Sequence, residues 1–465
     1  MKYFLALIII FIAVKSTLAQ NQIQLYNVDG LPQSLLLNPG TDVSFDMHIG
    51  VPLFSGFHIQ GGSTGVTFYD LFKKDNNSTF NDRIREQVFS LSRKDYFTVN
   101  ENLEILSLGL RLPNGDYLSG GWYQETDAIL YFPKDPAILA YEGNSDYIGK
   151  HFDVSDAVTK GEILSVFHLG YTRKVNESLT LGLRGKVYGS MFNFESIDNT
   201  GEFVTNLSPE GNNIYTHELI NTNAVLQTSG TNGFDNLTPS QLLKNSLISG
   251  NMGVGLDFGF TYKFADNWQV TGSFVDLGLI AHTAKTKKYY LRGNYTLEGI
   301  EFAFPAAVGD DANPEYFDDL EDDFNKNVKY GDFSGDKYLT WRPLKVYGSI
   351  DYTFNGDQSC DCLKPNKRDS FTRAGLQFAA IKRPLSPQVA VTGFVDTSLS
   401  DIFRGKLTYT VDSYSFTNLG FLVSAQLNKF NLYLAADNVL EYVNLAKANN
   451  FSMQLGMQFV IHKRR

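Results

Sequence analysis

MGVGLDFGFTYKFADNWQVTGSFVDLGLIA, residues Met252 to Ala281, decides the fold. Met252, Val254, Leu256, Phe258, Phe260, Tyr262 and Phe264 take one side; Gly253, Gly255, Asp257, Gly259, Thr261 and Lys263 take the other. Successive side chains leave a pleated chain on opposite faces, so this period of two is a β-strand. A polar turn, Ala265-Asp266-Asn267, leads back through Trp268, Val270, Gly272 and Phe274, set against Gln269, Thr271 and Ser273. After Phe274 the apolar register slips to Val275, Leu277, Leu279 and Ala281, which predicts a bulge. One face is large and apolar; the other is small, polar or charged and holds nothing to fill a dry core. A soluble sandwich would bury the apolar face against a second sheet, and one hairpin alone does not exclude it. Repeated strands of about ten residues, joined by alternately short and long connections, describe a transmembrane antiparallel β-barrel instead.

The pattern recurs along the chain. Strands are expected at Phe45 to Val66, Leu106 to Leu112, Tyr117 to Phe132, Ile163 to Val175 and Leu179 to Met191. Beyond the central hairpin they follow at Lys345 to Phe354, Phe371 to Ala380, Gln388 to Asp396, Phe403 to Val411, Ser415 to Leu427, Phe430 to Leu440 and Phe451 to Ile461. Short connections fall at Pro113 to Asp116, Lys174 to Ser178, Ala265 to Asn267, Ser398 to Asp401 and Asn428-Lys429; long ones fall near 68–94, 133–160, 193–250 and 284–340. With the long ones outside, the count closes at about 14 strands, an even number that returns the C-terminus to the periplasm. Two external turns, Arg383 to Pro387 and Asp412 to Tyr414, come out short, and one periplasmic connection, Asn355 to Ser370, comes out long.

The address fits. Lys2, the apolar run Phe4 to Val14 and the small-residue site Thr17-Leu18-Ala19 have the form of a secretory signal peptide over residues 1–19. Its removal takes away Lys2 and Lys15 and moves the formal charge from -10 to -12. An acidic exported chain lacks the electrostatic footprint of a nucleic-acid binder. Past the leader no apolar run approaches the ~20 residues of a spanning helix. The mean hydropathy of -0.18 is what polar lumen positions produce when they dilute every lipid-facing strand.

Residues 20–44 show no clean alternation. Leu35-Leu36-Leu37 is followed by the turn signal Asn38-Pro39-Gly40. A tethered arm and a segment tucked into the lumen both fit, and the division expected is an N-terminal arm or plug over 20–44 with the barrel over 45–465. Short helices are expected in the long connections. One runs from Asn81, as cap, to Leu91. A second spans Pro133 to Gly143, capped by Asp135 with Pro136 first, and a third starts at Thr238-Pro239.

Certain motifs resemble a family of uncharacterised outer-membrane barrels from Bacteroidota, known only as a domain of unknown function. They are Leu36-Leu37-Asn38-Pro39-Gly40, where the family has Asn-Pro-Ala, and Ile49-Gly50-Val51-Pro52. Others are Tyr131-Phe132-Pro133-Lys134-Asp135-Pro136 with Gly143-Asn144, Leu181-Gly182-Leu183-Arg184-Gly185-Lys186, and Ala436-Asp437-Asn438-Val439. The Asn-Pro element is also similar to that of long-chain fatty-acid-transport barrels and of barrels that accompany type IX secretion and gliding. These resemblances imply a 14-stranded barrel with a lumen-inserted N-terminus and leave the function open.

Chemistry is sparse. The histidines, His48, His58, His151, His168, His217, His282 and His462, show no helical zinc spacing, and no Gly-x-Ser-x-Gly elbow is present. His168 falls on the lumen side of its strand as polar lining, so no catalytic, cofactor or metal site is expected. Arg184, Lys186, Asp257, Lys263, Arg373, Arg404 and Lys406 are expected to face the lumen, where they set permeation selectivity or pair with one another and with the arm. The acidic stretch Asp310 to Asp336 reads as a solvated external loop, with weak calcium binding as its alternative. Cys360 and Cys362 lie in an exported loop, where free thiols are not the expected state. A local bridge across one residue is expected, with a bridge to another protein or a soft-metal thiolate pair as the other readings. The sequence thus predicts an outer-membrane, lipid-embedded barrel that conducts small or hydrophobic solutes. Its rival is an accessory barrel docking an outer-membrane partner for secretion, motility or surface assembly.

Overall fold

A computed structural model describes residues 23–75, 77–208, 214–231, 240, 250–297, 316–354, 371–400 and 402–462. The central hairpin forms two adjacent wall strands, Met252–Ala265 and Trp268–His282, paired antiparallel from Ala281↔Met252 to Trp268↔Ala265. The expected bulge is there: register shifts between Phe274 and Leu277, and Asp276 takes a left-handed φ of 64°. Its effect on facing differs from the expectation. Val275 points inward and is buried along with Asp276, because the extra residue lets two consecutive side chains enter the lumen before Leu277 turns out again.

The wall is a closed barrel of 14 antiparallel strands. Here β1 is Met47–Gly50 with Gly56–Ser63, β2 Tyr96–Arg111, β3 Tyr117–Tyr131, β4 Thr159–Lys174, β5 Leu179–Leu207, β6 Met252–Ala265 and β7 Trp268–His282. The second half is β8 (Tyr338–Trp341 with Lys345–Phe354), β9 (Thr372–Ile381), β10 (Gln388–Ser398), β11 (Phe403–Val411), β12 (Asn418–Leu427), β13 (Phe430–Asp437) and β14 (Asn450–Ile461). Closure is made by β14 on both parts of β1, through Met47↔Ile461 and Phe57↔Leu455. Ring closure removes every edge, which is how a sheet satisfies its backbone in lipid. Large apolar side chains stay exposed around the outside: Leu108, Leu183, Val254, Phe258, Leu376, Leu407 and Phe459 each present between 42% and 61% of their surface to the exterior. No helix among the described residues is long and apolar enough to cross a membrane.

Outside the wall the connections 193–250 and 284–340 are more than loops. β5 runs on to Leu207 and pairs with Tyr215–Ser229, which pairs with Lys287–Leu297, which pairs with Val328–Ser334. The result is a raised sheet on the rim that carries the long connections, the external rim by the convention for such barrels. Part of the acidic stretch is a helix, Tyr316–Asn327, followed by the last of these strands, with Asp332 and Asp336 paired to Lys287 and Lys288 at 3.0 and 3.2 Å. The helix expected from Asn81 is Phe80–Ser90, capped instead by Thr79 in a reciprocal box with Asp82. The one expected at Pro133 spans Lys134–Glu142, and Asp135 serves not as cap but as acceptor for the Asp153 N–H. The helix expected at Thr238-Pro239 and the cysteines Cys360 and Cys362 lie outside the described residues.

Candidate functional site

Inward parity on neighbouring strands gathers charge in the lumen. Arg184 and Lys186 on β5 face Asp257 on β6 and Asp276 in the β7 bulge. Arg184 meets Asp257 at 2.6 Å, and Lys186 meets Asp257 at 3.0 and Asp276 at 2.5 Å. From the break inside β8, Arg342 reaches Glu125 at 2.8 Å, Asp276 at 3.4 Å, and Glu162. Lys345 completes the web with Glu125 at 2.8 Å and Asp276 at 2.9 Å. The four cations match the four carboxylates. Burying such ions unpaired is prohibitive, and removing one partner of a buried pair costs about 3–5 kcal/mol. The web therefore braces β3 through β8 from within.

A second group sits on β8 to β11. Arg373 on β9 bonds Asp396 at 2.7 Å and sits 3.7 Å from Asp351; Arg404 on β11 bonds Asp396 at 2.6 Å. Among the described residues Lys406 makes no ion pair, but it donates to the carbonyls of Gln24 and Tyr26 at 3.1 and 2.8 Å and to Gln377 Oε1 at 3.4 Å.

Those carbonyls belong to the N-terminal segment, which lies inside the barrel. Ile23, Leu25, Tyr26, Val28, Leu31 and Leu37 pack with Val275, Tyr347, Ala390, Leu422 and Tyr433, and Tyr26 stacks on Tyr347 at 5.4 Å. A second cluster joins Leu35, Val43 and Phe45 to Tyr117 and Val460. Side chains of the wall grip the segment's main chain. Arg184 donates to Leu35 O and Leu36 O at 2.6 and 2.5 Å, Ser273 to Leu37 O at 2.6 Å, Thr172 to Pro39 O at 2.7 Å and Thr261 to Gly40 O at 2.8 Å. In return Asn38 Nδ2 donates to Phe260 O at 3.1 Å, and Gln33 Nε2 to Glu104 at 2.9 Å. Gly182 and Gly259, opposite each other on β5 and β6, leave the groove for Asn38-Pro39-Gly40. A Cβ on either would overlap the segment, and one on Gly40 would overlap the β6 backbone.

The external mouth is narrowed from the other side. The β11–β12 turn folds inward so that Tyr414 is buried against Tyr96 and Tyr131, with Tyr96 at ring distances of 5.6 Å to Tyr131 and 5.9 Å to Tyr414. Asp412 holds the turn, accepting N–H bonds from Tyr414 and Ser415 at 2.8 and 2.9 Å and one from Asn418 Nδ2 at 3.2 Å. Burial pushes the Asp412 carboxyl up to about 7, against the opposing pull of those bonds. Between the two closures lies a cavity of about 40 Å³ lined by Leu36, Tyr123, Glu125, Lys186, Asp276 and Lys345. That is room for water rather than for a solute.

Of the residues singled out from sequence, Asn38, Pro39, Arg184, Lys186, Asp257, Arg373, Arg404 and Lys406 all lie in this interior. Lys263 does not. Its side chain is 46% exposed at the rim, 3.3 Å from Asp42, because β6 has left the wall's covered zone by its last three residues. Arg342, Glu125, Glu162, Lys345 and Asp276 were not anticipated. Glu125 was readable from alternation on β3, whereas Arg342 sits in a strand break and Asp276 on a bulge, where parity gives no guidance. His168 rests beside the Tyr123 ring at 5.7 Å. Among the described residues, no three of His, Cys, Asp and Glu are grouped to hold a metal ion.

The family described as "Family of unknown function (DUF5723)" matches residues 39–437. The chain belongs to that family. No curated protein matches it. Solved structures similar to this DUF5723 barrel include the Ralstonia pickettii toluene transporter TbuX, at 10% identity and a TM-score of 0.42 over 93% of this chain and 95% of that one. The P. putida toluene transporter TodX is another, at 10% identity and 0.38 over 97% and 96%. A Pseudomonas aeruginosa FadL homologue gives 10% identity and 0.41 over 94% and 96%.

Proposed function

We propose that the protein is a gated outer-membrane conduit for small solutes, exported behind residues 1–19, with the segment up to residue 44 as its plug. One observation carries this reading. Among the described residues, the backbone-to-backbone hydrogen bonds of residues 23–44 stay within the segment, as in Tyr26 N–H to Ile23 O and Ser44 N–H to Asp29 O. Each hydrogen bond described between segment and wall uses a side chain of one or the other, so the segment can withdraw without breaking a strand ladder. Deleting residues 22–40 is expected to raise single-channel conductance in planar bilayers well above that of the intact chain, with heat-modifiable gel mobility confirming assembly. A correctly assembled deletion variant that stays silent would sink the reading.

The raised external sheet favours the second reading, an accessory barrel that docks a surface partner. A partner recovered stoichiometrically from native membranes, together with an electrically silent deletion variant, would support it.

A further inference from the structure

We propose that the vestibule occupied by the N-terminal segment is an anion site, and that the segment fills it as a built-in stand-in for a solute bearing a carboxylate or phosphate group. The inference rests on the plug reading and adds to it the class of solute.

Arg373, Arg404 and Lys406 converge on the turn Gln24 to Asp29. Among the described residues, these three cations find two wall carboxylates within ion-pair reach, Asp351 and Asp396. The third negative charge comes from the segment itself: Asp29 meets Arg404 at 2.7 Å. The rest of what the segment offers is carbonyl oxygen, from Gln24 and Tyr26 to Lys406 and from Asn27 to Arg373 at 2.5 Å. Asp437, the next carboxylate, accepts from Gln24 Nε2 rather than from a cation. Between residues 23 and 44 there are two aspartates and no lysine or arginine. The segment therefore shows the wall cations nothing but oxygen acceptors.

Withdrawal changes the balance. Lys406 keeps only the Gln377 amide oxygen, Arg404 loses Asp29, and Arg184 loses the carbonyls of Leu35 and Leu36. Cations lining a confined lumen attract oxyanions that enter it. The arginine forks match carboxylate or phosphate geometry, and the lysine adds a point charge. A free polar anion and the head of an amphiphile present the same chemistry here.

The test uses the barrel lacking residues 22–40 beside the full-length Asp29→Lys variant, whose new cation faces Arg404. Both are placed in planar bilayers under a potassium chloride gradient. The expected reversal potential reports chloride preferred several-fold over potassium, falling toward no preference when Arg404→Gln and Lys406→Gln are added. Inorganic phosphate and octanoate are then added separately; block by phosphate marks a polar anion, and block by octanoate alone marks an amphiphile. Current that prefers potassium, or that neither probe reduces, overturns the anion site while leaving the plug standing. Silence in both assembled variants overturns the plug itself.

Discussion

Phe258 points out from the middle of β6 and is 44% exposed. Arginine there sets a cation into hydrocarbon at a cost of about 2–4 kcal/mol near the midplane. Phe258→Arg should therefore lower the heat-modifiable, folded fraction in outer-membrane preparations, while Phe258→Leu leaves it unchanged; equal folding of the two would refute the outward assignment. At the external mouth, the proton on Asp412 matters. Its carboxyl is raised to about 7 when folded, so the bound proton stabilises the inward turn. That stability is complete below the ordinary carboxylate range, near pH 4, and is lost as pH rises through 7. Asp437 is the like-charged neighbour that adds to the effect. Exchange of amide hydrogens in residues 412–417, corrected for intrinsic rates, should accelerate between pH 5 and 8 as the turn opens. In Asp412→Asn that change should vanish, and a pH response that persisted there would assign it to another group.

At the scale of elements, the seat of the N-terminal segment is a pair of strands with side chains left out. Gly182 on β5 and Gly259 on β6 face each other, and Asn38-Pro39-Gly40 fits the space. A leucine at Gly182 fills it with volume that neither strand backbone can give up, and overpacking of this kind displaces the softer partner. The softer partner is the N-terminal segment, tied by side chains, rather than the wall, tied by ladders. Gly182→Leu should assemble normally yet show higher conductance and faster protease cleavage within residues 23–44. Normal assembly with no change in either would mean that the glycine groove does not seat the segment. The bulge in β7 works in the opposite sense: it adds a side chain to the lumen, and the one it adds, Asp276, joins Lys186, Arg342 and Lys345.

At the scale of the molecule, the lumen is closed twice, by Tyr414 at the external end and by the segment over the remainder. Conduction should thus require the segment to leave its share of the lumen. Asn27 and Ser349 touch at 3.1 Å between Nδ2 and Oγ. Cysteines at both positions, in a chain with Cys360→Ser and Cys362→Ser, should form a latch that holds the segment in. Oxidised barrels should show no openings and reduced ones should recover those of the unlatched chain. Openings that ignore the latch would place the conducting path elsewhere.

Strand positions, facing and closure were legible in the sequence because lipid enforces them. Every outward position on β6 or β14 must be apolar and every backbone group must find a neighbouring strand, so alternation survives in the letters. Above the membrane both faces of a sheet meet water, and the constraint lapses. The strands Tyr215–Ser229, Lys287–Leu297 and Val328–Ser334 consequently read as loop. Inside the lumen the limit is one of distance along the chain. Alternation says that Glu125 points inward but not that it meets Arg342, 217 positions away, and a residue on a bulge or in a strand break has no parity to read. The segment's course from Ile23 to Gly40 belongs to the same class. Its short helices and turns are local, but the wall cations that grip its carbonyls come from β5, β9 and β11, and only the closed barrel brings those strands around one axis.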